Sequence, residues 1–188
     1  DSKYNSYSTD GTKNFNMNHS SNTNSGGWKG CDLRYDVLGS TNTNDGDATS
    51  TTATNPVANT LMAALPSDLR AVMQPMTIYT DNVGGGSNTA SNVTTSVDYL
   101  PLLAEYEIFG SRTYANSTEQ TYQAQYQYFK NGNSKVKYRD SSTSTTAYWW
   151  ERSPCSTGSG SFCIVYTNGN ANCYYAGYSL GLAPAFRV

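Results

Sequence analysis

The run Tyr148-Trp149-Trp150-Glu151-Arg152-Ser153-Pro154, answered by Gly181-Leu182-Ala183-Pro184-Ala185-Phe186, limits the architectures open to this chain more than any other feature. Between these apolar bookends lie Cys155, Ser156, Thr157, Ser159, Tyr166, Asn172, Cys173, Tyr174, Tyr175, Gly177 and Tyr178. Tyr, Asn and Ser are flat or small amphipathic residues that contact ligands at low entropic cost, the mixture used by antibody loops. A rigid frame around such a filling predicts a binding surface and no catalytic residues.

Composition narrows the class. A chain of 188 residues fits one domain with a real core. Only 14% of residues are charged and the net charge is -2, so no basic field exists to hold nucleic acid. Asn, Ser and Thr make up roughly a third of the chain, well above ordinary usage. Sixteen tyrosines against five phenylalanines predict aromatic surface that meets water or a partner. Low charge with many neutral polar groups suits an extracellular, cell-surface or virion setting. No run approaches the ~20 apolar residues of a membrane span. The start at Asp1, without Met or a signal-like stretch, predicts a processed chain or an excised part of a longer one.

Along the chain, residues 1–25 read as an irregular, partly ordered polar segment, and Gly26-Gly27-Trp28 opens the folded domain, 26–188. Asp32–Leu38 predicts a short helix stopped by Gly39, with Leu33 and Val37 on one face. Residues 40–55 lack periodicity and read as a loop. Leu61 and Leu65 share a helical face; Pro66 then starts a second helix with Leu69, Val72 and Met73 together. Thr77–Thr80 reads as a strand followed by a long hairpin-like loop over 81–96, and Tyr99–Phe109 as a buried strand end passing into a short helix. Ser117 with Gln120 matches a capping box for a helix reaching Lys130, with Tyr122, Tyr126 and Phe129 aligned. Residues 140–146 form another Ser/Thr loop. Short helices followed by a strand-rich end predict an α+β domain.

Thr167-Asn168-Gly169-Asn170 signals a two-residue hairpin, because Asn-Gly tolerates the positive φ of a type I′ turn. With Thr167 paired to Asn170, Ile164 opposes Cys173, and Cys163 faces the other way. On that register Cys163 and Cys173 cannot bridge. Free thiols are expected, with Cys155–Cys163 the pairing to form if any does. The same register puts Ile164, Tyr166 and Cys173 on an outer face, and Cys163 and Val165 toward the core.

Motifs for chemistry are weak. His19, the single histidine, stands in the polar N-terminal stretch and reads as a solvated loop residue. No nucleophile elbow, zincin helix, phosphate loop or dinucleotide fingerprint occurs, and Gly158-Ser159-Gly160 lacks a strand-to-helix setting. Glu105 and Glu107 are two apart and share no helical face, and Glu151 is expected to pair with Arg152 or the backbone. Asn42–Asp47 fails as a calcium loop, because Thr41 and Thr52 fall where acids are needed. Cys31, Cys155, Cys163 and Cys173 contain no C-x-x-C pair. Neither a metal nor a cofactor is expected.

The C-terminal segment resembles the variable proteins of diversity-generating retroelements, in the bacterial and phage group that begins with WW-x-RSP and ends with G-x-x-PAF. The frame here is Trp149 to Pro154, Phe162-Cys163, Val165, Asn168-Gly169, Ala171, Ala176, Ser179, Gly181 and Pro184-Ala185-Phe186. Gly27-Trp28, Asp32-Leu33-Arg34 and Leu102–Gly110 are similar too. Arg187 departs from the Cys or apolar residue common in relatives, and residues 1–25 carry no family motif.

The resemblance implies a C-type lectin-like fold, loop-rich, with short helices and small antiparallel sheets. It implies a surface diversified by adenine-directed retrotransposition over a variable region of about 148–182. Asn-type template codons cannot yield Trp or Glu, which assigns Trp149, Trp150 and Glu151 to the frame. The expected contact set is Tyr148, Cys155, Ser156, Thr157, Ser159, Ile164, Tyr166, Asn172, Cys173, Tyr174, Tyr175, Gly177 and Tyr178. Its partner is a protein or glycan on a target cell. A calcium-dependent carbohydrate-binding lectin is the alternative on the same fold, and a formylglycine-generating-type oxidase using Cys155 and Cys163 is the third reading.

Overall fold

The computed structural model describes residues 15–19, 21–139 and 145–188. It is a mixed α+β chain of short helices and three small antiparallel sheets. Part of the Ser/Thr loop expected at 140–146 lies outside the described residues.

Asp32 leads into a π-helical turn, Leu33–Val37, whose Leu33 and Val37 are buried as the spacing required. The expected loop 40–55 contains a short helix, α1 (Ser50–Thr54), which the hydrophobic pattern missed because only Thr52 and Ala53 are buried on it. Helix α2 (Leu61–Ala64) starts where Thr60 Oγ1 accepts the Ala63 N–H, and Pro66 precedes α3 (Ser67–Val72) as its cap. Strand β1 (Met76–Asp81) pairs with β2 (Val93–Asp98), so the expected 81–96 loop is shorter, with a strand at its far end. Helix α4 (Glu105–Phe109) is stopped by Gly110 in the left-handed region.

The single helix expected from Ser117 to Lys130 is two turns, α5 (Glu119–Tyr122) and α6 (Gln127–Lys130), with Gln123 extended between them. The capping residue is Thr118, not Ser117. Phe129 is buried, whereas Tyr122 and Tyr126 are exposed. Tyr122 stacks on Tyr79 instead, at a centroid distance of 4.3 Å.

Strands β3 (Lys137–Tyr138) and β4 (Thr146–Ala147) form a minimal pair. The sheet that positions the site is β5 (Trp149–Pro154), β6 (Ser161–Val165) and β7 (Ala171–Tyr175), with β6 in the centre. Side chains alternate across a strand, so Trp150 enters the main core with Trp28, Leu33, Leu102, Phe162 and Ile164. Trp149 enters a second cluster with Ile108, Phe129 and Val165. Both faces of β6 are therefore covered, which explains its continuous burial.

Residues 15–19 and 21–25 contain no helix or strand, yet Phe15, Met17 and Asn24 are buried. The Phe15 carbonyl accepts the Trp150 indole N–H at 2.6 Å and the Leu180 N–H at 3.3 Å. His19 is exposed, 3.1 Å from Asp36, in keeping with a solvated role. Among the described residues, no helix is long and apolar enough to cross a membrane.

Candidate functional site

The β6–β7 hairpin sets the site, and its turn differs from expectation by one residue. Tyr166 N–H donates to the Asn170 carbonyl and Gly169 N–H to the Tyr166 carbonyl, both at 2.8 Å. Gly169 has φ 85°, so the loop has three residues with glycine in the left-handed position. The register becomes Cys163↔Cys173, Ile164↔Asn172 and Phe162↔Tyr174. A one-residue slip moves a whole strand to the opposite face. Cys173 consequently lies beside Cys163, while Asn172 and Tyr174 share the face of Ile164.

Three members of the expected contact set are internal. Ile164 is wholly buried, because the face it shares with Trp150 is the core. Cys155 is buried and disulfide-bonded to Cys173, which corrects the expectation of free thiols and of a Cys155–Cys163 pairing. Ser156 is buried, its hydroxyl donating to the Tyr114 carbonyl at 2.8 Å. Cys31 and Cys163 are buried free thiols.

The tyrosines form a continuous aromatic patch. Tyr148 meets Tyr166 edge-on at 4.7 Å and lies 5.6 Å from Tyr174; Tyr174 meets Tyr178 edge-on at 5.1 Å. Tyr175 lies 6.4 Å from Tyr178. Edge-to-face contacts at such distances are the favoured aromatic geometry. Tyr148, Tyr166 and Tyr174 are half-buried against the core, whereas Tyr175 and Tyr178 are 56% and 51% exposed. The hydrogen bond with Tyr166 is the main cause raising the Tyr148 phenol above its usual pKa, with desolvation second.

Beside the patch opens a cleft of about 630 Å³, lined by Tyr138, Arg139, Tyr148, Tyr174, Tyr178 and Leu180 among others. This volume falls within the range of small-ligand pockets. Tyr138 and Arg139 carried no sequence signal, since they reach the cleft only through the β3–β4 pair.

Thr157 and Ser159 are exposed on the β5–β6 connection, and Asn172 is half-buried, its side-chain oxygen accepting the Cys173 N–H at 2.8 Å. Gly177 is exposed, and a Cβ there would meet Asn22 Oδ1 at 2.8 Å, the end of a movable side chain.

Asn24 clasps the β5–β6 connection. Its amide nitrogen lies 3.2, 2.9 and 2.7 Å from the carbonyls of Cys155, Gly158 and Ser161, and its oxygen accepts the Gly85 N–H at 2.8 Å. The backbone is thus fixed through contacts that do not depend on the side chains of Thr157 and Ser159. Sequence reasoning missed Asn24, because one Asn among many polar residues leaves no pattern.

Behind the patch the frame is held by buried charge. Arg152 pairs with Glu107 and not with Glu151. Glu105 accepts the backbone N–H groups of Thr113, Tyr114 and Ala115, a structural role. Glu151 is wholly buried, and neither carboxylate oxygen has a hydrogen-bond partner. Desolvation, then the charges of Glu105 and Glu119, push its pKa well above the ordinary carboxylate range.

Searches of curated proteins and of solved structures found no match. One family model matches residues 7–188, nearly the whole chain. That match covers frame and patch alike, and by it the chain belongs to the DUF6273 family, a domain of unknown function.

Proposed function

We propose that this chain is the ligand-binding variable protein of a diversity-generating retroelement, built on a C-type lectin-like fold. It contacts a protein or glycan on a target cell from a phage virion or a cell surface, and it binds without catalysis. The observation that carries this reading is the split within one short segment. Trp149, Trp150, Glu151, Arg152 and Ser153 are all at most 1% exposed, whereas Thr157, Ser159, Tyr175, Gly177 and Tyr178 face solvent, and Tyr178 lines the cleft. A surface can be randomised only when stability resides elsewhere.

The contact set becomes Tyr148, Thr157, Ser159, Tyr166, Asn172, Tyr174, Tyr175, Gly177 and Tyr178. Exposed Tyr rings are the residue type that most often dominates binding energy. The Cys155–Cys173 bond supports an oxidising setting for the mature protein. A calcium-dependent lectin is less favoured, because Glu151 is the only acid from Tyr148 onward and it is buried.

The test is population sequencing of the coding region. Substitutions are expected at positions 157, 159, 166, 172, 174, 175, 177 and 178, and none at 149–153. Substitutions spread evenly over both groups overturn the reading.

A further inference from the structure

The sulfurs of Cys155, Cys163 and Cys173 lie within 4.8 Å of one another, the one such group of metal-ligating side chains among the described residues. A disulfide needs two of them. The third, Cys163, is wholly buried, with its sulfur 3.8 Å from that of Cys155 and its backbone directly opposite Cys173. Tetrahedral zinc, with Zn–S bonds of about 2.3 Å, sets neighbouring thiolate sulfurs about 3.8 Å apart.

A second observation points to a cation at the same place. Glu151 and Cys163 both lie between the paired positions Trp150↔Ile164 and Pro154↔Phe162, where β5 bulges against β6. Glu151 is fully buried and both its oxygens lack partners. A buried carboxyl group without a partner and three clustered sulfurs are the donor types that a bound cation would satisfy.

We propose that the reduced chain binds one thiophilic divalent cation of the zinc class through Cys155, Cys163 and Cys173, with Glu151 as the adjacent carboxylate. Binding releases the three thiol protons to solvent. Oxidation by a small-molecule disulfide then transfers two electrons from the sulfurs of Cys155 and Cys173 to the oxidant, whose S–S bond breaks and which takes two protons from solvent to leave as two thiols. The Cys155–Cys173 bond forms, Cys163 takes up a proton, and the cation departs. A protein made in a reducing cytosol and working outside it meets both conditions. The metal form holds the β5–β6–β7 sheet before the disulfide does.

The experiment uses the full chain, reduced with a phosphine under anaerobic conditions, and cobalt(II) as the spectroscopic probe. The expected result is one tetrahedral thiolate-bound cobalt per chain, displaced by zinc. Cys163→Ser should lose the tetrahedral spectrum while still forming Cys155–Cys173 on oxidation, which shows that the variant folds. Cys31→Ser should bind like the parent. Glu151→Gln should bind 10- to 100-fold more weakly, about the effect of losing a supporting carboxylate. If the reduced chain unfolds without metal, zinc should restore its circular dichroism. Failure of zinc to refold it, absence of a tetrahedral spectrum in a folded reduced chain, or unchanged binding by Cys163→Ser each overturns the proposal.

Discussion

Arg152 holds Glu107 by two parallel hydrogen bonds, 2.6 Å from Nη1 to Oε2 and 2.7 Å from Nη2 to Oε1, in a buried setting. The same guanidinium donates from Nε to Thr80 Oγ1 and from Nη1 to the Leu102 carbonyl, at 2.7 and 2.8 Å. Glu107 in turn accepts the Ala104 N–H at 2.9 Å, at the start of α4. One side chain from the frame thus joins β1, β5 and α4. Breaking a buried pair by removing one partner costs about 3–5 kcal/mol, because the other charge is stranded. Arg152→Met is expected to lower unfolding free energy by that amount in urea, with Glu107→Gln similar in direction.

The aromatic patch should separate into two classes. Tyr175→Ala and Tyr178→Ala remove exposed rings and should shift stability by about 0.5 kcal/mol or less. Ile164→Ala, four positions from the turn glycine's neighbour Asn168, empties core volume and should cost about 2–5 kcal/mol. Chemical denaturation of the three variants checks this, and equal losses would contradict the split between frame and rim.

Glu119 gives a pH dependence. Burial raises its pKa from 4.5 to about 7, against the lowering effects of hydrogen bonds from Ser153, the Asp81 N–H and Gln123 and of the Arg152 charge. The folded state therefore holds the proton more tightly than the unfolded state. Its contribution is fully present below about pH 4.5 and is lost as pH rises through about 7. The loss is on the order of 3 kcal/mol. Melting temperature measured across this window should fall less steeply in Glu119→Gln than in the parent.

The Asn24 clasp predicts a local effect. Asn24→Ala leaves the carbonyls of Gly158 and Ser161 and the Gly85 N–H without that partner. A destabilisation of about 1–3 kcal/mol is expected. Hydrogen exchange should accelerate at the Gly85 amide, with little change at the Leu38 amide, which bonds to Leu33.

Much of the frame was legible in the linear pattern. The burial of Trp149 and Trp150, the strand at Thr77–Thr80, the turn around Asn168-Gly169 and the exposure of Tyr175 and Tyr178 all follow from residue type and local spacing, whereas Tyr166 and Tyr174 are half-buried. Ser117 to Lys130 reads as one helix because the Ser117/Gln120 box and the spacing of Tyr122, Tyr126 and Phe129 fit one, whereas the fold spends Gln123 on the Tyr79 carbonyl and breaks the run there.

By itself the sequence determined which segments supply foldedness and which carry small, flat polar side chains, because burial preference belongs to residue type. Tertiary structure alone decided the hairpin register, since Asn-Gly serves a two- or a three-residue loop and only the packing of β7, with Tyr174 on the face of Phe162 and Ile164 and Cys173 beside Cys163, selects between them. That single choice turned Cys173 toward Cys163, brought it to Cys155, and left Tyr174 against Tyr148. Contacts such as Asn24 with Ser161, or Trp150 with the Phe15 carbonyl, join residues more than a hundred positions apart. No local pattern encodes them, because their free energy exists only once the chain has closed.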